Sequence, residues 1–188
     1  MTDPAKKLAT YQDVLDAPEH VVAELIFGTL HTQPRPALRH ARSGSRLGSR
    51  LIGKFDDDDD GGPGGWVVLF EPELHLADDV LVPDLAGWRR ARMPRVPLES
   101  AFIELAPDWV CEVLSPSTRA LDRSDKMDVY AREGVAWLWF VEPVDRSLEV
   151  YRLEKGRWVR LATHRDAAVV RAEPFDAIEL ELARLWAP

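Results

Sequence analysis

The chain has 188 residues, of which 46% are hydrophobic and 30% are charged, and its formal net charge is −8 at pH 7. A chain of this length and composition can bury a hydrophobic core without disulfide bonds or structural metal ions, so we expect a single domain over residues 1–188. Its single cysteine excludes an internal disulfide framework and a cysteine-rich zinc site and favours a cytoplasmic location. The acidic balance argues against charge-driven binding of nucleic acid by the whole surface but allows a local basic patch. No apolar run approaches the roughly 20 residues that a membrane helix needs, so we expect no membrane association.

The first third of the chain predicts helical segments around one ambiguous stretch. Residues 1–20 predict a short helical segment at the start of the chain, and residues 1–10 within it are expected to be disordered. Residues 21–34 predict either a helix end or a strand with a turn at Gly28. Residues 36–55 predict an amphipathic helix, because arginines recur on one face and apolar or small residues lie opposite. The arginines of that face are Arg39, Arg42, Arg46 and Arg50.

The sequence "DDDDDGGPGG" at residues 56–65 predicts an exposed loop insertion. Like charges repel and glycines raise the entropic cost of ordering the chain. The alternative, a metal site on the aspartate run, is disfavoured because consecutive carboxylates on a flexible loop converge poorly on one ion.

Strands dominate the rest of the chain. Four segments combine β-branched and aromatic residues between turn signals, at residues 66–76, 79–88, 108–114 and 136–143. A helix is predicted between the last two, with Asp122 as N-cap and Gly134 just beyond its end. A hairpin with its turn at Lys155-Gly156 follows. These elements predict an α/β (α+β) domain with a mixed sheet flanked by helices.

Two carboxylates are conspicuous within this plan. Asp84 follows Val82-Pro83, where the proline indicates a strand end or an edge. Glu112 lies inside an apolar strand, on the same face as Val110 and Leu114. Rigid elements of this kind can present one or two carboxylates to a hard cation such as Mg²⁺. The alternative is that Glu112 pairs with an arginine and Asp84 begins a turn.

Lys126 allows two interpretations. It lies in or next to the first turn of the predicted helix, where it can pair with Asp122 four residues earlier. It can also point back toward the preceding strand and Glu112. In that position a lysine orients a water and stabilises charge on a phosphate. Spacing alone leaves both interpretations open.

Four stretches together resemble the Uma-two family of restriction-endonuclease-like proteins, a branch of the PD-(D/E)XK nuclease superfamily. They are "AELIFGTLH" at 23–31, "VPDLAGW" at 82–88, "PDWVCEVLSPST" at 107–118 and "DRSDKMDVYAREGVAWLWFVEP" at 122–143. The resemblance covers roughly residues 11–185. It implies a restriction-endonuclease-like core, a mixed β-sheet flanked by helices.

The resemblance also implies roles for individual residues. Asp84 and Glu112 would bind a metal ion, Mg²⁺ with Mn²⁺ as a substitute, and the carbonyl of Val113 would be a further ligand. Lys126 would be the catalytic lysine, and Glu24 an additional acidic residue that binds the metal or its water. The chain departs from the wider superfamily at Leu114, where a lysine normally stands two residues after the glutamate.

The implied reaction is metal-dependent hydrolysis of nucleic-acid phosphodiester bonds, with DNA as the substrate and a homodimer as the form that cuts both strands. The phosphate backbone of the substrate would need a row of basic side chains to bind it, which we call the basic track. The residues predicted for it, from the arginine helix and from later segments, are Arg39, His40, Arg42, Arg46, Arg50, Arg89, Arg90, Arg92, Arg95, Arg119 and Arg123. The alternative for the arginine helix is a solvated outer face. The alternatives for the whole chain are a non-catalytic binding module on the same fold and a hydrolase of another phosphoester.

Overall fold

The computed structural model describes residues 8–34, 37–57 and 61–187. The helices are α1 (Tyr11–Leu15), α2 (Leu38–Leu51), which continues into a π-helical segment (Ile52–Asp56), α3 (Arg119–Asp122), α4 (Asp125–Arg132) and α5 (Ala183–Trp186). The strands are β1 (Val21–Ile26), β2 (Thr29–Pro34), β3 (Trp66–Phe70), β4 (Leu74–Leu76), β5 (Asp79–Leu81), β6 (Leu85–Arg89), β7 (Trp109–Val113), β8 (Trp137–Glu142), β9 (Ser147–Glu154), β10 (Arg157–Arg165), β11 (Val169–Val170) and β12 (Leu180–Glu181).

The main sheet has six strands in the order β10-β9-β8-β7-β6-β3. Strands β7 and β8 are parallel and are joined through α3 and α4, whereas the other neighbouring strands are antiparallel. A second, antiparallel sheet has the order β2-β1-β5-β4. The predicted strand-helix-strand crossover and the mixed α+β class are therefore confirmed.

Strand β7 separates two hydrophobic cores. Trp109, Cys111 and Val113 face the core beneath α2, the π-helical segment and the C-terminal elements. Val110 and Leu114 face the core shared with the smaller sheet and α4. Because successive side chains of a strand point to opposite faces, Glu112 lies on the second side. Its carboxylate is thus enclosed between the main sheet, β1 and α4.

Helix α2 packs its small and apolar face against the sheet, as predicted. Ser43, Gly44, Leu47, Gly48 and Leu51 are buried. A Cβ atom at Gly48 would lie 2.0 Å from Cζ of Phe70, so a larger residue there would have to displace the Phe70 ring. One turn nearer the start of α2, a Cβ atom at Gly44 would lie 3.7 Å from Cγ2 of Val113, which shows that the helix passes over the carboxyl end of β7.

The predicted helix start at Asp122 is wrong. The chain forms two short helices, α3 and α4, with Ser124 as the N-cap of α4. Asp122 is the last residue of α3, and its side chain is buried against Lys126 rather than capping a helix. The predicted end is confirmed, since Gly134 follows α4 with a φ of 75° that glycine adopts without strain.

Two tight turns are confirmed. Residues 21–34 form the β1–β2 hairpin, with φ of 50° at Phe27 and 69° at Gly28. The β9–β10 hairpin turns at Lys155 and Gly156, both also with positive φ. Two consecutive residues of positive φ are typical of the turn that matches the twist of antiparallel strands.

Parts of three predicted segments lie outside the described residues, namely 1–7 of the N-terminal segment, residue 36 of the helix predicted over 36–55 and 58–60 of the loop at 56–65. Asp56 belongs to the π-helical segment, where its carboxylate accepts a hydrogen bond from the Val68 amide (3.0 Å) and pairs with Arg90 (2.6 Å). No helix within the described ranges is long and apolar enough to cross a membrane.

Candidate active site

A cleft of about 310 Å³ opens where the smaller sheet, the N-terminal end of α2 and the carboxyl end of β7 meet. Its walls come from segments far apart in the chain, which is why no local pattern could place them together. The ionisable residues that line it are Glu24, Glu71, Asp84, Glu112 and Asp122, together with His40 and Lys126. Five carboxylates therefore share the cleft with one lysine and one histidine.

Lys126 lies at the centre of the buried end of this cleft. Its Nζ is 2.9 Å from Oε1 of Glu24, 2.9 Å from Oε1 of Glu112 and 3.4 Å from Oδ1 of Asp122. Only 3% of the lysine side chain is exposed. Both interpretations left open for Lys126 hold at once: it pairs with Asp122 along the chain and with Glu112 across it.

The backbone holds two of the carboxylates in place. Glu24 Oε1 accepts a hydrogen bond from the Val82 amide (2.8 Å), just before the Pro83-Asp84 corner. Asp84 Oδ2 accepts one from the Val113 amide (2.7 Å), the residue that follows Glu112. These bonds tie β1, the start of β6 and the end of β7 together. Asp84 and Glu112 consequently face one cavity.

His40 occupies the position at the head of α2 that faces Asp84. Its Nε2 is 3.3 Å from Asp84 Oδ1, whereas its buried Nδ1 has no hydrogen-bond partner among the described residues. Burial alone would lower the pKa of His40, but the hydrogen bond and charge of Asp84 outweigh it and raise that pKa. The sequence placed His40 on the basic track; the structure places it in the acidic cleft.

Burial dominates the protonation of the cleft. Desolvation raises the pKa of Glu112 well above its ordinary value, against the lowering effect of Lys126, and repulsion from Asp122, Asp84 and Glu24 raises it further. Burial likewise raises the pKa of Asp122. For Lys126, burial would lower the pKa, but Glu112 and Glu24 more than offset that effect and raise it well above the ordinary value. Burial and mutual repulsion therefore favour the neutral forms of Glu112 and Asp122, while the neighbouring carboxylates keep Lys126 charged.

Sequence reasoning missed two members of this cluster. Tyr130 is fully buried and its hydroxyl donates a hydrogen bond to Glu112 Oε1 (2.7 Å). Asp122 was interpreted as a helix cap and, alternatively, as a partner of Lys126; the pairing is confirmed, but its place in the cleft was not predicted. A signal was available, because Asp122, Lys126 and Tyr130 recur every four residues, a spacing that puts side chains on one helical face.

The predicted basic residues of α2 run away from the cleft. Arg50 lies ten residues beyond His40, about 15 Å along the axis at 1.5 Å per residue. Arg42 Nε donates a hydrogen bond to the Ala187 carbonyl (3.0 Å), and Arg46 donates one to the Arg184 carbonyl. Part of the stripe therefore anchors the C-terminal segment, while Arg39 and Arg50 are exposed.

The other predicted arginines are mostly paired within the protein. Arg89 stacks 4.2 Å from the ring centre of Trp66, at the end of β6 remote from Asp84. Arg119 pairs with Glu142. The remaining ion pairs are Arg90 with Asp56, Arg92 with Asp108 and Arg123 with Glu149; Arg95 is exposed.

The cleft offers the ligand types that a hard divalent cation prefers. No group of three or more His, Cys, Asp or Glu side chains is placed to hold a metal ion within residues 8–34, 37–57 and 61–187. Mg²⁺ commonly uses only one or two carboxylates and keeps several waters. An excess of carboxylates and the unpartnered buried nitrogen of His40 line the cleft. Asp84 and Glu112 are carboxylates of the type that such an ion takes.

Comparison with known proteins agrees with this picture. The family model Uma2, described as "Putative restriction endonuclease", matches residues 8–183. A crystal structure of a "putative nuclease belonging to DUF820" from Anabaena variabilis superposes with a TM-score of 0.73, covering 94% of this chain and 97% of that chain at 22% identity. At that identity the likeness shows the fold, which confirms the predicted class. No curated protein matches the chain.

Proposed function

Because the chain belongs to the Uma2 family of restriction-endonuclease-like proteins, we propose that it is a Mg²⁺-dependent endonuclease that hydrolyses phosphodiester bonds of DNA. Family and fold support a nuclease-type function and a nucleic-acid substrate, and restriction-endonuclease-like families generally use divalent metal ions. The metal, the DNA substrate and the residue roles are the parts that we propose.

The proposal depends on one observation: Lys126 Nζ lies within 3.4 Å of three carboxylates in the cleft that also contains Asp84. Asp84, Glu112 and the carbonyl of Val113 would hold Mg²⁺, or Mn²⁺ in its place. When bound, such an ion acidifies a water and neutralises charge on phosphate oxygens. An ion there would also offset burial and the repulsion from neighbouring carboxylates, which together raise the pKa of Glu112.

The protein's own residues have distinct roles in this proposal. Lys126 keeps Glu24 and Glu112 oriented and, because it lines the cleft, its charge acts on a phosphate that enters. Glu24, fixed by the Val82 amide, orients the attacking water. Asp84, fixed by the Val113 amide, presents its other oxygen to the cavity.

The runner-up is a non-catalytic binding module on the same fold. Within the described residues, five of the eleven predicted basic residues pair with carboxylates. These pairs weaken the case for DNA cleavage and so favour the alternative, because paired basic residues contribute less to a DNA-binding surface. Arg39, His40, Arg42, Arg46, Arg50, Arg89, Arg90, Arg119 and Arg123 remain proposed contacts for the DNA backbone. Homodimerisation and the cytoplasmic location also remain predictions.

Plasmid nicking tests the proposal. Supercoiled DNA is incubated with the native protein, Asp84→Ala or Lys126→Ala, in the presence of Mg²⁺, Mn²⁺ or EDTA. Asp78→Ala and Lys155→Ala are matched controls, since both side chains are exposed. We expect metal-dependent nicking by the native protein and both controls and none by the cleft variants. Nicking that survives both cleft changes would contradict the mechanism, and DNA binding without nicking by the native protein would establish the module.

A further inference from the structure

A second cavity, of about 500 Å³, lies between the C-terminal half of α2 and the α5 region. We call it the α2–α5 groove. Its charged and hydroxyl-bearing lining includes Arg46, Ser49, Arg50, Lys54, Glu181 and Arg184. Four cations thus face one carboxylate, although the whole chain carries a net charge of −8. The groove is therefore lined mainly by positively charged side chains, whereas the cleft is lined mainly by carboxylates.

The positive charge of Arg46 and Arg50 is only partly compensated in this groove, where Glu181 is the carboxylate nearby. Glu181 is already paired with Arg184, whose Nε lies 2.8 Å from Oε2 of the glutamate. Arg46 donates to a backbone carbonyl rather than to a carboxylate. In the described part of the chain, neither Arg46 nor Arg50 forms an ion pair with an acidic side chain. Elsewhere arginines do pair, as Arg90, Arg92, Arg123 and Arg132 show. An anion is the component that would balance the groove.

The groove lies on the same helix as the cleft. Helix α2 begins beside Asp84 with His40 and reaches the groove at Arg46 and Arg50. The separation of His40 and Arg50 along the axis is about 15 Å, at 1.5 Å per residue. Successive phosphates on one DNA strand rise about 3.4 Å, so a strand with one phosphate in the cleft can reach the groove with another.

We propose that the α2–α5 groove binds the phosphodiester backbone of a nucleic-acid strand whose scissile phosphate lies in the cleft. The inference rests on the proposed function and adds where the substrate runs. Arg50 and Arg46 contact phosphate oxygens, and the Ser49 hydroxyl is a neighbouring donor. Contacts of this kind carry no sequence information, so binding through the groove is independent of sequence.

The test measures DNA binding without chemistry. Fluorescence anisotropy with a labelled duplex in EDTA compares the native protein with Arg50→Glu, Arg50→Lys and a control, Arg157→Glu. Arg157 is exposed on β10 and does not line the groove. We expect Arg50→Glu to weaken binding about tenfold at roughly 0.1 M salt and to reduce the log–log salt slope by about one unit. Arg50→Lys should keep the slope, because it keeps the charge.

Three outcomes would overturn the proposal. The first is a DNA affinity of Arg50→Glu equal to that of the native protein. The second is an equal loss of affinity in Arg157→Glu, which would show a non-specific charge effect. The third is an Arg50-dependent rise of the Tm in inorganic phosphate with unchanged DNA affinity, which would show a small-anion site. Thermal unfolding of each variant confirms that it is folded.

Nicking by the same proteins separates this proposal from the proposed function. If the native protein nicks DNA and Arg50→Glu binds and nicks DNA equally well, only the groove proposal is refuted. If the native protein does not nick DNA but Arg50→Glu loses DNA affinity, the proposed endonuclease activity is refuted and the groove proposal is supported. If both hold, Arg50→Glu should raise KM and leave kcat unchanged, because it touches a remote phosphate.

Discussion

Two carboxylates of the described residues have similar partners, one in the buried cleft and one near the surface. In the cleft, Glu112 accepts a hydrogen bond from Tyr130 and pairs with Lys126. On β9, Glu149 accepts a hydrogen bond from Tyr151 (2.6 Å) and pairs with Arg123 (2.8 Å). Each is a carboxylate that contacts a cation and a tyrosine hydroxyl, and Glu149 also has Arg160 at 4.0 Å.

The two carboxyls nevertheless shift in opposite directions. At Glu112, burial raises the pKa well above its ordinary value. At Glu149, burial acts in the same direction, but the bonds from Arg123 and Tyr151 outweigh it and lower the pKa. Two differences account for this: Glu112 is 3% exposed and lies among other carboxylates, whereas Glu149 is 15% exposed and lies near a second arginine, Arg160. The same type of contact therefore has opposite effects on the pKa, depending on burial and on the neighbouring charges.

The largest effect is expected from Lys126→Met. It leaves Glu24, Glu112 and Asp122 buried without their common cation, so the free energy of unfolding should fall by about 3–5 kcal/mol. Urea unfolding at pH 7 measures it, with Lys155→Met as a control for the loss of a lysine at the surface. A loss as small as that of the control would show that the cleft charges are not coupled as described.

Glu112→Gln should separate catalysis from stability. Lys126 keeps Glu24 and Asp122 as partners, and repulsion within the cleft decreases, so we expect the free energy of unfolding to change by about 1 kcal/mol or less. Nicking should nevertheless be lost, because an amide is a poor ligand for the proposed ion. Retained nicking, or a loss of stability comparable with that of Lys126→Met, would contradict the assigned role.

Tyr130→Phe and Tyr151→Phe compare the two hydroxyls directly. Removing the buried one should cost about 0.5–1.5 kcal/mol and lower Mn²⁺ affinity about 10–100-fold, because Tyr130 orients a proposed ligand. Removing the other should cost less and leave Mn²⁺ affinity unchanged. Isothermal titration and urea unfolding measure the two quantities, and equal Mn²⁺ affinities in the two variants would refute a positioning role for Tyr130.

The smallest effect is expected from Glu149→Gln. A carboxyl whose folded pKa is lowered contributes stability above its ordinary value of 4.5 and loses it as the pH falls through the folded pKa. We therefore expect a loss of a few tenths to about 1 kcal/mol at pH 7, given the exposure of the pair. The difference from the native protein should shrink as the pH falls below 4.5. Urea unfolding across that range checks it, and a difference that grows on acidification would reverse the sign argued here.

Local signals were sufficient for much of the fold. The turns at Gly28 and Lys155-Gly156, the helix end at Gly134 and the placement of Glu112 inside a strand each depend on neighbours in the chain. The site was partly predictable for the same reason, since Lys126 follows Asp122 by one helical turn. Joining these residues to Glu24 and Asp84 required the family resemblance, because their contacts cross the chain.

Other features depended on packing that spacing does not encode. The break between α3 and α4 turns Asp122 into the cleft, whereas its sequence neighbourhood is typical of a helix cap. The partners of Arg90 and Arg123 lie 34 and 26 residues away, so the sequence could not show that these two arginines form ion pairs within the protein. In both cases the outcome depends on which side chains are brought together when the sheets and helices pack, and residue spacing does not encode that packing.

Whether Asp84 and Glu112 share one ion is tested most directly by isothermal titration of Mn²⁺ into the native protein, Asp84→Asn and Glu112→Gln without DNA. One binding event per chain in the native protein, strongly weakened in each variant, is the expected result. Undiminished binding in both variants, or none in a native protein that nicks DNA in EDTA, would mean that these carboxylates do not form a metal site.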